Sequence, residues 1–175
     1  MISIGIDPGK TGAIAVIANG KLKQCIATPW IEKEIDYHAY NNIAYELEKQ
    51  WDSPETMVFL EKVNALFGAS AGTTFKFGMA FGAAKMIASG MRNQMVTPGQ
   101  WQKVAWQGVT KVTKTVKGKQ KTDTKAMSLI AAKRLFPEWD FRNIGVKGTP
   151  LTTYHDGKID AALIAWYGYK EMIGS

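Results

Sequence analysis

The chain has 175 residues, 46% of them hydrophobic and 21% charged, which suits a single domain (1–175) with a real core and excludes a disordered chain. Its single cysteine, Cys25, excludes a disulfide framework and a thiolate zinc site; with no leader-like N-terminus and no apolar run of membrane-spanning length, this predicts a cytoplasmic protein without a membrane partner. A net charge of +7 and a pI near 9.4 point to a polyanionic partner, and the placement of the charge narrows that further.

Ile2, Ile4 and Ile6 alternate with Ser3 and Gly5, and the run stops at Asp7-Pro8-Gly9. An apolar, β-branched stretch resumes at Ala13 to Ile17, the pattern of two strands joined by a Gly-rich turn. Lys21 to Thr28 follows Asn19-Gly20 as a third strand, completing an antiparallel meander. Asp7 ends a strand whose other residues suit the middle of a sheet. It either caps the Pro8-Gly9 turn or holds a cation, since a buried carboxylate is costly without one. Tyr37, Tyr40, Ile43, Ala44 and Leu47 predict a helix over 36–50. Thr56 to Val63 reads as a strand buried on both faces through its continuous run Met57 to Leu60, and it too carries an acid at its end, Glu61. A salt bridge is the plain alternative for Glu61, although Lys62 lies on the wrong face for it.

Residues 64–73 form a small-residue loop whose bulky side chains, Leu66 and Phe67, either insert into a partner or pack on the core. A helix over 74–90 follows, in which Gly78, Ala80, Gly82, Ala83 and Ala84 allow close approach to a sheet or another helix. A short strand over 93–97 then closes at Pro98-Gly99. From Gln100 onward the chain turns basic, with Lys103, Lys111, Lys114, Lys117, Lys119, Lys121, Lys125, Lys133, Arg134, Arg142 and Lys147, and with Trp101 and Trp106 interleaved. A basic stripe with aromatics is the footprint of backbone-driven nucleic-acid binding, and a solvated surface loop is the alternative. The part at about 108–121 is rich enough in Gly, Thr and Lys to predict a mobile segment that orders on phosphate. Residues 122–136 form a helix stopped by Pro137. In the terminal helix Asp156 and Asp160 lie four apart on one face, where two acids repel unless a cation sits between them. Asp156 could serve as a helix cap instead, whereas Asp160 stands a full turn inside.

In combination and order, IGIDPGKTG, FLEKV, KFGMAFG and DGKIDAALIA resemble the RuvC-type Holliday junction resolvases of the ribonuclease H-like superfamily, over nearly the whole chain. The long basic segment suggests a divergent, phage-like relative. The resemblance implies an α/β fold with a five-stranded mixed sheet, the first three strands antiparallel, and helices on both sides. It implies a metal-dependent endonuclease that resolves four-way DNA junctions by paired nicks as a homodimer, for which the 74–90 helix, with Gly78 and Gly82 one turn apart and Phe75, Met79 and Met86 beside them, is the candidate interface. Asp7, Glu61, Asp156 and Asp160 would form an oxygen-only cage for two Mg2+ ions, with Mn2+ able to substitute. The family's penultimate ligand stands three residues before the last Asp, where this chain has Gly157; Asp156 takes its place, with His155 as second candidate. By the same resemblance Lys103 and Lys121 stand beside the scissile phosphate and Leu66 or Phe67 enters the junction. Trp101, Lys111, Lys114, Lys117, Lys119 and Lys125 fall in the DNA-binding segment.

Three other readings compete. GIDPGKTG is also similar to the first phosphate loop of actin-like sugar kinases, but that family needs a second such loop in a duplicated domain, and this chain has no repeat. A module that binds branched DNA without cutting would keep the lysines and need not keep the acids. A ribonuclease H or a less selective debranching nuclease is the nearest alternative.

Overall fold

The computed structural model describes residues 1–32, 34–63, 68–145 and 147–174; Leu66 and Phe67 lie outside them. Strands β1 (Ile2–Asp7), β2 (Ala13–Ala18) and β3 (Lys21–Ala27) form the expected meander. Its second turn is set by Asn19 and Gly20, both at positive φ (50° and 75°), the tight turn that suits the strand twist. A two-residue hairpin, β4 (Trp30–Ile31) with β5 (Glu34–Ile35), leads to α1 (Tyr37–Trp51), whose first turn is capped by Asp36 accepting from the Ala39 amide. Then come β6 (Thr56–Glu61), α2 (Ala71–Ser89), β7 (Asn93–Val96) and α3 (Pro98–Ala105).

The basic stretch that follows is regular. Strands β8 (Thr113–Val116) and β9 (Lys119–Thr122) form a hairpin closed by Lys117 and Gly118, both at positive φ. The segment at about 108–121, expected to be mobile until it meets phosphate, thus carries a hairpin, with two neighbouring positive φ values making its turn. Helix α4 (Thr124–Leu135) starts directly from the hairpin, with Asp123 as its cap. Strands β10 (Arg142–Ile144) and β11 (Pro150–Tyr154) then deliver the chain to α5 (Asp156–Gly174).

The main sheet has the order β3-β2-β1-β6-β7, with β1, β6 and β7 parallel and β1, β2 and β3 antiparallel. Its side chains alternate between two cores. Ile4, Ile6, Ile14, Val16, Val58 and Leu60 face α1 and α2. Ala13, Ala15, Ile17 and Phe59 face α5, against which α3 and α4 pack. The predicted sheet with helices on both sides is therefore the one observed. Helix α5 lies directly on β1: a Cβ at Gly5 would stand 2.3 Å from the Ala161 carbonyl oxygen and the Ala165 nitrogen. Only glycine there lets a helix carrying Asp160 come so near the strand that ends in Asp7. No helix among the described residues is long and apolar enough to cross a membrane.

Candidate active site

Three acids meet where the sheet ends. Asp7 is the last residue of β1 and Glu61 the last of β6; the two strands are parallel, with Ile6 opposite Leu60, so both acids leave the sheet side by side. Asp160 comes down from the second turn of α5. The three are charge-coupled. Burial, and then Glu61, Asp160 and Asp156, hold the Asp7 carboxyl well above the usual carboxylate range. Burial pushes Asp160 up to about 7, with Glu61 and Asp156 adding to it and a Ser128 hydrogen bond and Lys125 opposing. Glu61 is raised by burial and drawn back by the indole of Trp101. Three carboxylates that all resist ionisation are short of positive charge.

Asp156 stands apart. Its Oδ2 is 2.5 Å from Lys125 Nζ, and it is the first residue of α5, not its cap. The capping role belongs to His155: its Nδ1 accepts from the Lys158 amide at 3.2 Å and its carbonyl accepts from Ile159. Burial, and then Lys158, lower the His155 pKa, which keeps the imidazole neutral and its Nδ1 an acceptor. His155 thus spends that nitrogen on the helix. Gly157 has a steric reason. A Cβ there would fall 1.8 Å from the Thr11 carbonyl oxygen, so the β1–β2 turn leaves no room for a side chain at that position.

A cleft of about 40 Å³, room for a few water-sized groups, runs between α3, α4 and α5 and is lined by Gln102, Thr124, Lys125, Ser128, Asp156, Ile159 and Asp160. Among the described residues no three Asp, Glu, His or Cys side chains are gathered closely enough to hold a metal ion as they stand. Asp7, Glu61 and Asp160 feel one another's charge without closing into a cage, and Asp156 is paired with Lys125. The donor chemistry nonetheless fits a hard divalent cation: all-oxygen, partly buried, and short of compensating charge.

The other expected site residues separate. Trp101, expected among the DNA-binding residues, is 1% exposed and buried in the core, which corrects that expectation; its Nε1 donates to Glu61 Oε1 at 2.8 Å. Lys103 is exposed on α3 and does not line the cleft, whereas its neighbour Gln102 does. Lys121, expected beside the reacting phosphate, faces Lys114 across the hairpin, and the lysine paired with Asp156 is Lys125. Cross-strand pairing puts Lys114, Val116, Lys119 and Lys121 on one face of the hairpin and Thr113, Thr115, Gln120 and Thr122 on the other. Lys117 sits in its turn, and Lys111 precedes β8. The sequence reading missed Gln102, Thr124 and Ser128. For Ser128 a signal existed, a small polar residue on the apolar face of α4 where it is 4% exposed.

No protein-family model matches the chain, and no curated protein matches it. Solved structures do. The Thermus thermophilus RuvC in complex with a Holliday junction substrate aligns over 99% of this chain and 96% of its own, at 19% identity and a TM-score of 0.60. A second structure of Thermus thermophilus RuvC aligns over 98% of both chains at 20% identity and a TM-score of 0.56. With a five-stranded sheet of order β3-β2-β1-β6-β7, helices on both its faces and these full-length alignments, the chain has the RuvC-like, ribonuclease H-like α/β fold.

Proposed function

We propose that the chain is a Holliday junction resolvase, a metal-dependent endonuclease that nicks two strands of a four-way DNA junction. The observation that carries this reading is the placement of Asp7, Glu61 and Asp160 at one sheet edge, mutually charge-coupled, in a fold shared with a junction-bound RuvC. Asp7, Glu61 and Asp160, joined by Asp156, would hold two Mg2+ ions, with Mn2+ a substitute. Such ions, when bound, supply a water of lowered pKa and a counter-charge for the leaving oxygen. The protein's part is to bring the phosphate to them. Lys125, 70% exposed at its side chain, can leave Asp156 and meet a phosphate oxygen at the rim of the cleft. The lysine face of the β8–β9 hairpin tracks the backbone of an arm, and Leu66 or Phe67, which follow Glu61 in sequence, enters the junction.

Two like-polarity cuts require two sites, and a two-fold dimer supplies them. Helix α2 fits that role. A Cβ at Gly78 or Gly82 would meet nothing within 4 Å, and Phe75 and Met86 are 69% and 76% exposed, while Ala80 and Ala84 pack inward on the sheet. Those two glycines therefore face away from the protein's own core.

The test is a labelled immobile four-way junction, a flap, a duplex and an RNA–DNA hybrid, each with and without Mg2+. The expected result is Mg2+-dependent paired nicking of the junction, abolished by Asp7→Asn with junction binding intact or tighter. Cleavage in chelator, or preference for the hybrid, would overturn the reading. A monomeric mass by light scattering, with nicked circles accumulating from a cruciform plasmid, would overturn the dimer.

A further inference from the structure

Glutamate is an awkward residue with which to build a rigid site, since it has one more rotatable bond than aspartate and a buried carboxylate with no fixed donor is costly. Glu61 solves this through the segment that follows β7. Its register partner is Val96, and the Lys62 amide donates to the Val96 carbonyl oxygen at 2.6 Å. From Val96 the chain turns at once into α3. Pro98 opens that helix, and the Gln100 side chain accepts from the Thr97 amide and the Thr97 hydroxyl, both at 2.8 Å. One turn on, Trp101 drops into the core against Trp106, edge to face at 6.4 Å, and reaches back to Glu61 Oε1 at 2.8 Å. The backbone beside Glu61 and one oxygen of its side chain are thus both held by residues 96–101.

We infer that Trp101 is a positioning residue for Glu61: its indole N–H pins Oε1 and leaves Oε2 for a cation. An indole suits this task because it donates only; it cannot accept the carboxyl proton or compete for the ion. Full burial fixes the ring without help from the ligand. Donors of this kind behind metal-binding carboxylates typically govern affinity by 10–100-fold. The two neighbouring tryptophans show that the contact is not a general feature of indoles here. Trp106 Nε1 is buried without a partner among the described residues, and Trp139 Nε1 donates to the Leu22 carbonyl oxygen.

The inference rests on the proposed metal-dependent function, and the experiment separates the two. Mn2+ binding is measured by calorimetry on the wild type, Asp7→Asn, Trp101→Phe and Trp106→Phe, together with kcat and KM on a four-way junction. Trp101→Phe keeps an aromatic ring and loses the donor. It is expected to weaken Mn2+ binding by about 10–100-fold and to lower kcat with the junction KM unchanged. Trp106→Phe, an equal loss of volume in the same cluster, should leave Mn2+ affinity within about twofold of wild type. Should Trp101→Phe fail to fold, 3-benzothienylalanine at position 101, which replaces the N–H by sulfur at constant shape, gives the same readout. Equal Mn2+ affinity in Trp101→Phe and Trp106→Phe overturns the positioning role alone. A wild type that binds no Mn2+, or Asp7→Asn that binds it as well as wild type, overturns the metal-dependent function and the inference with it.

Discussion

Without a cation, Asp160 should weaken the fold it belongs to, and replacing it with asparagine should strengthen that fold. Its carboxyl is held at about 7 against an ordinary 3.8. An acid whose pKa is raised in the folded state costs nothing below its ordinary pKa, where both states are protonated. As pH rises from 3.8 toward 7 the unfolded chain ionises first and stability falls; above about 7 the cost is complete. The difference corresponds to about 4 kcal/mol at pH 8 and about 1 kcal/mol at pH 4.5. Asp160→Asn keeps an oxygen that can accept from the Ser128 hydroxyl and removes the charge that also presses on Asp7. In chelator at pH 8 the variant should therefore be more stable by about 2–4 kcal/mol, a Tm rise on the order of 10 °C for a domain of this size. At pH 4.5 the gain should shrink to about 1 kcal/mol or less. Urea unfolding at both pH values measures it directly. A variant no more stable than wild type at pH 8, or a gain independent of pH, would refute the claim that Asp160 is a carboxylate short of countercharge.

Two further predictions concern the surface and the core. Neutralising Lys114, Lys119 and Lys121 together should flatten the salt dependence of junction binding by roughly one log–log unit per lost phosphate contact, while Thr113, Thr115 and Gln120 replaced by alanine should not change the slope; an equal effect of the two sets would remove the sidedness of the hairpin. Burial pushes the Cys25 thiol up to about 12, and the thiol donates to the Lys158 carbonyl oxygen, so iodoacetamide at pH 8 should label Cys25 slowly in the folded protein and rapidly in urea.

What could be read in advance, and what could not, divides along a physical line. Asp7 and Glu61 were legible because strands alternate and because an acid at the end of an apolar run is out of place in a sheet. Asp160 was legible because it interrupts a helix of Ala, Leu, Ile and aromatics. Helix α3 was not: its eight residues are too few for an apolar period to stand out, and the available sign was Pro98 followed by Gln100. Trp101 was read as a DNA contact because it sits among lysines, but neighbours in sequence do not tell which way a ring points. Lys125 meets Asp156 across 31 residues, a pairing that no local pattern carries. His155 as a helix cap escaped notice because imidazole is an uncommon cap, and Asp156 beside it is a common one.

The crowding at Gly157 reaches further than one missing side chain. On a helix, residues four and three before Asp160 stand on opposite flanks of its line, about 40° to one side and about 60° to the other. With position 157 closed by the Thr11 carbonyl, the fourth acid is displaced to the flank that faces α4, and there it finds Lys125. Under the proposed function, an ammonium and a divalent ion would compete for the same carboxylate. The ion would have to displace a resident cation, and a phosphate that drew the lysine away would make room for it. Moving the acid back to 157 would take more than a point mutation: the turn joining β1 to β2 would first have to be shortened or rebuilt, because the backbone of Thr11 and Gly12 already occupies the space.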